Sequence, residues 1–299
     1  MLLFVETPAP VKHKMRRARA TSSFTCLVPS AATESSLADA GDRAGLACVV
    51  SSVTVRTLLL GDLDVRLAGG PDREGGGDGP LLVLLHGFGA PGTDLVPLWR
   101  SLRVPPEVRF AFPAAPMNLE PGAPPELAPR AWWMIDILRL QQTLQQGREA
   151  SLALAKEPPP PGMAEARALV EGFLDACEKE LGAPRERIVL GGFSQGAMLA
   201  CDVTLRTERP PAGLVVMSGA PVSEPDLRAL APKRAGLRVL QSHGRADPIL
   251  PFAGGEYLRD ILREGGLEVE WIPFGGGHGI PDGMIERLGP FVSDVTGLA

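Results

Sequence analysis

The sequence predicts an α/β fold: a mostly parallel central sheet with helices on both faces. Three observations carry this. Short apolar runs alternate with longer stretches of helical spacing from about Val53 onward. Leu81-Leu82-Val83-Leu84-Leu85 is apolar at every position, as a strand buried on both faces of a parallel sheet must be. Ile188-Val189-Leu190 runs into two glycines, a serine and then Gln195-Gly196-Ala197, the pattern of a strand turning sharply into a helix.

Residues 53–60 and 63–67 read as an opening pair of strands, and 69–79 as a polar, glycine-rich turn. After the 81–85 strand, residues 94–102 read as a helix with Thr93 or Asp94 at its start, and 108–112 as a strand. Residues 113–130 hold too many prolines for long regular structure. Residues 138–154 read as helical, and Pro158 to Pro161 break the chain. Residues 163–181 put Ala166, Leu169, Val170, Phe173, Leu174, Cys177 and Leu181 on one helical face. The strand and turn at 188–196 follow, with helical spacing from Ala197 to Leu205. Residues 214–217, 237–241 and 267–274 read as strands, and 255–263 and 284–298 as helices.

Composition limits the function classes. The chain has 299 residues, 44% hydrophobic and 22% charged, enough for one domain whose core needs no disulfide staple. The net charge of −5 argues against a nucleic-acid partner, and no apolar run reaches the length of a membrane span, so stable membrane insertion is not expected. Cys26, Cys48, Cys177 and Cys201 are scattered without a C-x-x-C pair, so no metal site is expected. Residues 1–50 read differently from the rest. A basic cluster (Lys12, Lys14, Arg16, Arg17, Arg19) precedes a Ser/Thr/Ala-rich stretch, without the long apolar core or cleavage site of an export signal. This predicts a disordered N-terminal extension and a cytoplasmic protein. Residues 51–299 form the folded domain, with a cap-like insertion around 113–162.

Gly192, Ser194 and Gly196 fill the G-x-S-x-G pattern of a nucleophile elbow. A serine hydroxyl is a poor nucleophile at neutral pH and needs a base, itself oriented by a carboxylate. His13 lies in the extension, His86 in the first glycine loop and His243 four residues before Asp247; His278 alone follows Asp247. Serine, acid, histidine is the chain order of α/β-hydrolases, which selects Ser194, Asp247 and His278. Asp247 precedes a proline and also suits a turn carboxylate, but Glu256, Asp260 and Glu268 are worse placed to meet His278. All three selected residues follow strand ends and should converge on one sheet edge, where ligands bind in such folds. Two backbone donors for an oxyanion are expected at Gln195, after the nucleophile, and at Phe88, in the His86-Gly87-Phe88-Gly89 loop.

The His86-Gly87-Phe88-Gly89 loop, Gly192-Phe193-Ser194-Gln195-Gly196-Ala197-Met198, the His243-Gly244-Arg245-Ala246-Asp247-Pro248-Ile249-Leu250-Pro251 stretch and Gly277-His278-Gly279-Ile280 together resemble the phospholipase/carboxylesterase family of α/β-hydrolases. The resemblance spans residues 53–299. It implies the α/β-hydrolase fold, the same triad and oxyanion donors, no cofactor, and a small-molecule or lipid ester as substrate. It leaves open a thioesterase or lysophospholipase, while a non-catalytic binding protein of this fold should lack a triad member. Trp132 and Trp133 resemble the aromatic pair of the family's cap loop and are expected near the acyl pocket, with ordinary core packing as the alternative. The intervals 113–130 and 137–162 are longer than a compact thioesterase needs and are expected to cover and shorten the acyl groove. Oligomeric state is not legible.

Overall fold

The structure, a computed structural model, describes residues 55–298. The expected extension over 1–50, with its basic cluster, lies outside the described residues, as do Val53 and Thr54 of the first expected strand. Ten strands form: β1 (Arg56–Leu60), β2 (Leu63–Gly69), β3 (Leu81–Leu85), β4 (Arg109–Pro113), β5 (Met117–Asn118), β6 (Arg130–Ala131), β7 (Ile188–Phe193), β8 (Gly213–Met217), β9 (Arg238–Gly244) and β10 (Glu268–Phe274). Eight of them make one sheet in the order β1-β2-β4-β3-β7-β8-β9-β10. The β1–β2 and β2–β4 pairings are antiparallel; every pairing from β4 to β10 is parallel. The short β5 and β6 pair with each other, apart from the sheet.

The helices are α1 (Leu98–Ser101), α2 (Ile137–Gln145), α3 (Arg148–Leu154), α4 (Met163–Leu181), α5 (Gln195–Arg206), α6 (Glu224–Leu230), α7 (Phe252–Glu264) and α8 (Asp282–Thr296). They cover both faces of the sheet, as its all-apolar central strands demand. Leu81, Val83 and Leu85 face one core layer with Val170 and Phe173 of α4, Leu199 of α5 and Ile261 of α7. Leu82 and Leu84 face the other layer, with Met284, Leu288 and Phe291 of α8. Each such side chain, taken fully from water, contributes about 2 kcal/mol before entropy is counted.

Three local expectations change. The helix expected over 94–102 shrinks to α1: Pro97 has no N–H to donate, and the chain before it is held by i→i+3 bonds such as Val96 N to Thr93 O. The helix expected over 138–154 divides into α2 and α3, because Gly147 turns the backbone with φ 95°. The helix α6 was not anticipated. It starts with Glu224, Pro225 and Asp226, which suit a first turn by pre-set φ and by charge against the helix dipole.

Candidate active site

Ser194 stands between β7 and α5 with φ 54° and ψ −117°. A side-chain-bearing residue in that region costs about 1–3 kcal/mol, so its surroundings must hold it there. They do so from both sides. Ser194 N–H donates to Met217 O at 2.9 Å, and Ser194 O accepts from Ala197 N at 3.0 Å and Met198 N at 3.1 Å. The flanking glycines let the strand and helix meet. A Cβ on Gly196 would lie 2.1 Å from Leu85 O, and one on Gly192 would lie 2.5 Å from the Gly196 carbonyl carbon. The G-x-S-x-G pattern is therefore a packing requirement as well as a turn.

The loop after β3 presses on the elbow: a Cβ on Gly87 would lie 3.3 Å from both Ser194 Cβ and the Phe193 ring. Phe88 N–H has no backbone acceptor among the described residues, and Gln195 N–H, first in α5, has no acceptor within its helix. His86 cannot serve as a base here. It is buried, its Nδ1–H donates to Gly87 O at 2.8 Å, and its Nε2 accepts from Ala115 N at 2.9 Å. Burial lowers its pKa to about 4, so the ring is neutral.

Asp247 and His278 meet directly. His278 Nδ1–H donates to Asp247 Oδ2 at 2.7 Å, while Asp247 Oδ1 accepts from Ile249 N and Leu250 N, both at 2.9 Å. Burial alone would raise the Asp247 pKa; the His278 and backbone donors outweigh it and hold the carboxyl below its ordinary value. The two loops are joined because the β9–β10 ladder continues past the strand ends, through Arg245 N to Phe274 O and Ala246 N to Gly276 O. The His278 ring packs on Phe193, with centroids 4.8 Å apart, which sets it beside the elbow. The Ser194 hydroxyl makes no hydrogen bond among the described residues; such contacts often close only with substrate in place.

Three features escaped the sequence reading. Ser218, itself at φ 50°, donates its hydroxyl to Gly279 O at 2.9 Å and so fastens the His278 loop. The side chain of Gln195 accepts from Trp132 N at 3.0 Å and donates to Trp133 O at 2.8 Å. His243 lies fully buried against Asp247. The repeated small residue after a strand end was the available signal for Ser218, and the short interval from His243 to Asp247 was the signal for that contact; nothing local marked the contacts of Gln195.

For Trp132 and Trp133, expected near the acyl pocket or in ordinary core packing, the structure shows core packing. They are 1% and 2% exposed and belong to the core. The Trp132 indole N–H donates to His86 O at 3.0 Å, so the pair braces the loop that carries Phe88. The bracing continues through Gly89 N to Arg130 O and Arg130 N to Ala90 O. Cys177 and Cys201 are buried as small apolar residues, and burial pushes both thiols up to about 12, which leaves neither as a nucleophile. Among the described residues no group of three or more His, Cys, Asp or Glu side chains is arranged to hold a metal, and no helix is long and apolar enough to cross a membrane.

Comparison with known proteins adds to this geometry. The model of the phospholipase/carboxylesterase family matches residues 76–296. Acyl-protein thioesterase 1 of Neurospora crassa is 29% identical over 230 residues, which cover 71% of this chain and 88% of that one. The Mycosarcoma maydis protein of the same name is 30% identical over 192 residues, covering 61% and 75%. Among solved structures, esterase PE8 superposes with a TM-score of 0.60 at 27% identity, over 78% of this chain and 99% of its own. A carboxylesterase from Mesorhizobium loti also reaches 0.60, over 79% and 98%; at 22% identity it speaks for the fold alone.

Proposed function

The chain belongs to the phospholipase/carboxylesterase family of α/β-hydrolases, and on that premise we propose that it is a serine hydrolase that cleaves carboxylic esters through an acyl-enzyme intermediate. Ser194 Oγ attacks the carbonyl carbon as His278 takes its proton. Asp247 holds the imidazole with Nδ1 protonated and stabilises the imidazolium that forms. The N–H groups of Gln195 and Phe88 receive the oxyanion, each worth about 3–4 kcal/mol in comparable sites. His278 then protonates the leaving alcohol, and water repeats the sequence to free the acid. Residues 113–162 act as a cap over the substrate groove, with the buried Trp132 and Trp133 positioning the oxyanion loop. The reading requires no cofactor and sets the enzyme in the cytoplasm.

The observation that supports this most strongly is the 2.7 Å bond from His278 Nδ1 to Asp247 Oδ2, made with the His278 ring seated on the residue before the strained Ser194. A thioester-cleaving activity is the second reading, favoured by the thioesterase names of the relatives above. Treatment with a fluorophosphonate probe tests the core of the proposal. The native chain should become covalently labelled and Ser194→Ala should not; equal labelling of the two would remove Ser194 as nucleophile. Rates on matched esters and thioesters of graded acyl length then separate the two readings.

A further inference from the structure

We infer that His243 is a positioning residue for this hydrolysis: its Nε2–H, set between the Leu250 carbonyl and the Asp247 carboxylate, holds the acid that orients His278. The inference rests on the roles proposed above for Asp247 and His278. His243 Nε2 lies 2.8 Å from Leu250 O and 3.4 Å from Asp247 Oδ2. A carbonyl and a carboxylate only accept, so Nε2 carries the ring's proton. The hydrogen bond of Nε2 is the one to Leu250 O; the carboxylate oxygen, 3.4 Å away, lies within reach of the N–H dipole without a hydrogen bond. The contacts close on themselves. Leu250 accepts from His243 through its carbonyl and donates its own N–H to Asp247 Oδ1 at 2.9 Å. The histidine thus fastens the whole turn that presents the acid.

Why a histidine stands there follows from burial. The side chains of His243 and Asp247 are both 0% exposed. A buried carboxylate is costly unless donors surround it. Oδ1 has two backbone N–H groups, and Oδ2 has His278 with His243 beside it. On its other edge, His243 Nδ1 is buried without a partner among the described residues, and a Cβ on Gly255 of α7 would come within 2.4 Å of it. The missing side chain at 255 is what admits the ring. The titratable groups facing His243 are Asp247 and His278. From α7 come uncharged Gly255 and the Phe252 ring, 6.2 Å away, on which the exposed Arg245 stacks at 4.8 Å. Burial, with a smaller push from His278, lowers the His243 pKa against the opposing pull of the Leu250 backbone, the Asp247 charge and the Gly219 backbone, so the ring is neutral above its ordinary titration range.

Removing that donor leaves a carboxylate that stabilises the His278 imidazolium more strongly. The acid limb of the kcat/KM profile must then move to higher pH. With p-nitrophenyl acetate as substrate for the full chain, His243→Leu should shift that limb upward by about half a unit and cut kcat on the order of tenfold, with KM nearly constant. His243→Gln returns an amide N–H to the place of Nε2–H and should recover most of both effects. Equal losses in the two variants with an unmoved limb would reduce His243 to a packing residue. Imidazole ¹⁵N spectra of the native chain answer the same question even where a variant does not fold. His243 should hold the Nε2–H form at about pH 7.5, above its ordinary titration range; an Nδ1–H form there overturns the inference. Failure of the triad itself would show separately, as hydrolysis that survives Ser194→Ala.

Discussion

The sheet edge around Ser194 and the segment from Pro113 to Gly162 solve opposite problems. At the edge the Ser194 backbone and the Asp247 carboxylate are each held more than once. Ser194 pays for a left-handed backbone, and Met217, Ala197 and Met198 bond its peptide groups while glycines at 192 and 196 let strand and helix close. Asp247 is surrounded by donors, and Ser218 ties the next loop in place. The 113–162 segment is rooted at the buried Trp132 and Trp133 and is loosely packed beyond them. No residue of α2 is buried; Met134, in the loop before it, and Ile137 and Leu138, in its first turn, are 54%, 42% and 66% exposed. The contrast teaches where each kind of change is tolerated. On the proposed reading, reaction geometry resides in the over-determined edge, and the open segment is free to vary its surface without moving that geometry.

The sharpest way to break the comparison is to remove charge from the edge without removing shape. Asp247→Asn should keep the fold and lower kcat about 10⁴-fold, because the neutral amide favours the wrong tautomer of His278. Circular dichroism and steady-state kinetics check both halves; turnover within a few-fold of native would move the acid elsewhere.

A middle-sized effect probes the rigidity of the loop after β3 through pH. Burial holds the His86 pKa near 4, against an ordinary value of 6.5. Between those values the unfolded chain takes up a proton that the folded chain refuses. Stability therefore falls as pH drops from about 6.5 toward 4, by about 3 kcal/mol in full. The lowered pKa of His243 acts in the same direction, so the measurement is a difference. Urea unfolding of the native chain and of His86→Gln should show a flatter acid slope in the variant; parallel slopes would mean the ring is not held neutral.

The smallest effect belongs to the other region. Ile137→Ser with Leu138→Ser should change stability by under about 0.5 kcal/mol, since both are exposed. The double variant should leave kcat on p-nitrophenyl acetate unaltered and raise KM for long-chain esters. A drop in thermal midpoint of many degrees would show that α2 is a structural part of the domain after all.

Legibility followed the same division. The parallel strands were readable because burial on both faces forces an unbroken apolar run, as in Leu81 to Leu85. The helix α4 was readable over its full length because its apolar positions repeat along one face. The 94–102 helix was misread because a single imino acid, Pro97, outweighs composition, and the 138–154 helix because one glycine at φ 95° divides it. The burial of Trp132 and Trp133 was not legible, since an aromatic pair suits a pocket wall and a core equally well, and its hydrogen bonds to Gln195 and His86 form across long stretches of chain.

By itself the sequence determined the α/β class, the strained turn at Ser194 and the chain order of serine, acid and histidine. These depend on residue type and on spacing within one element or its end. Only the tertiary structure decided that Asp247 takes its donors from His278 and from its own turn, that His243 lies against it, and that the tryptophans stand behind the loop after β3. Those outcomes come from strand order, which brings Asp247 to His278 across 31 residues, and from burial, which turns neighbouring side chains of one stretch toward each other.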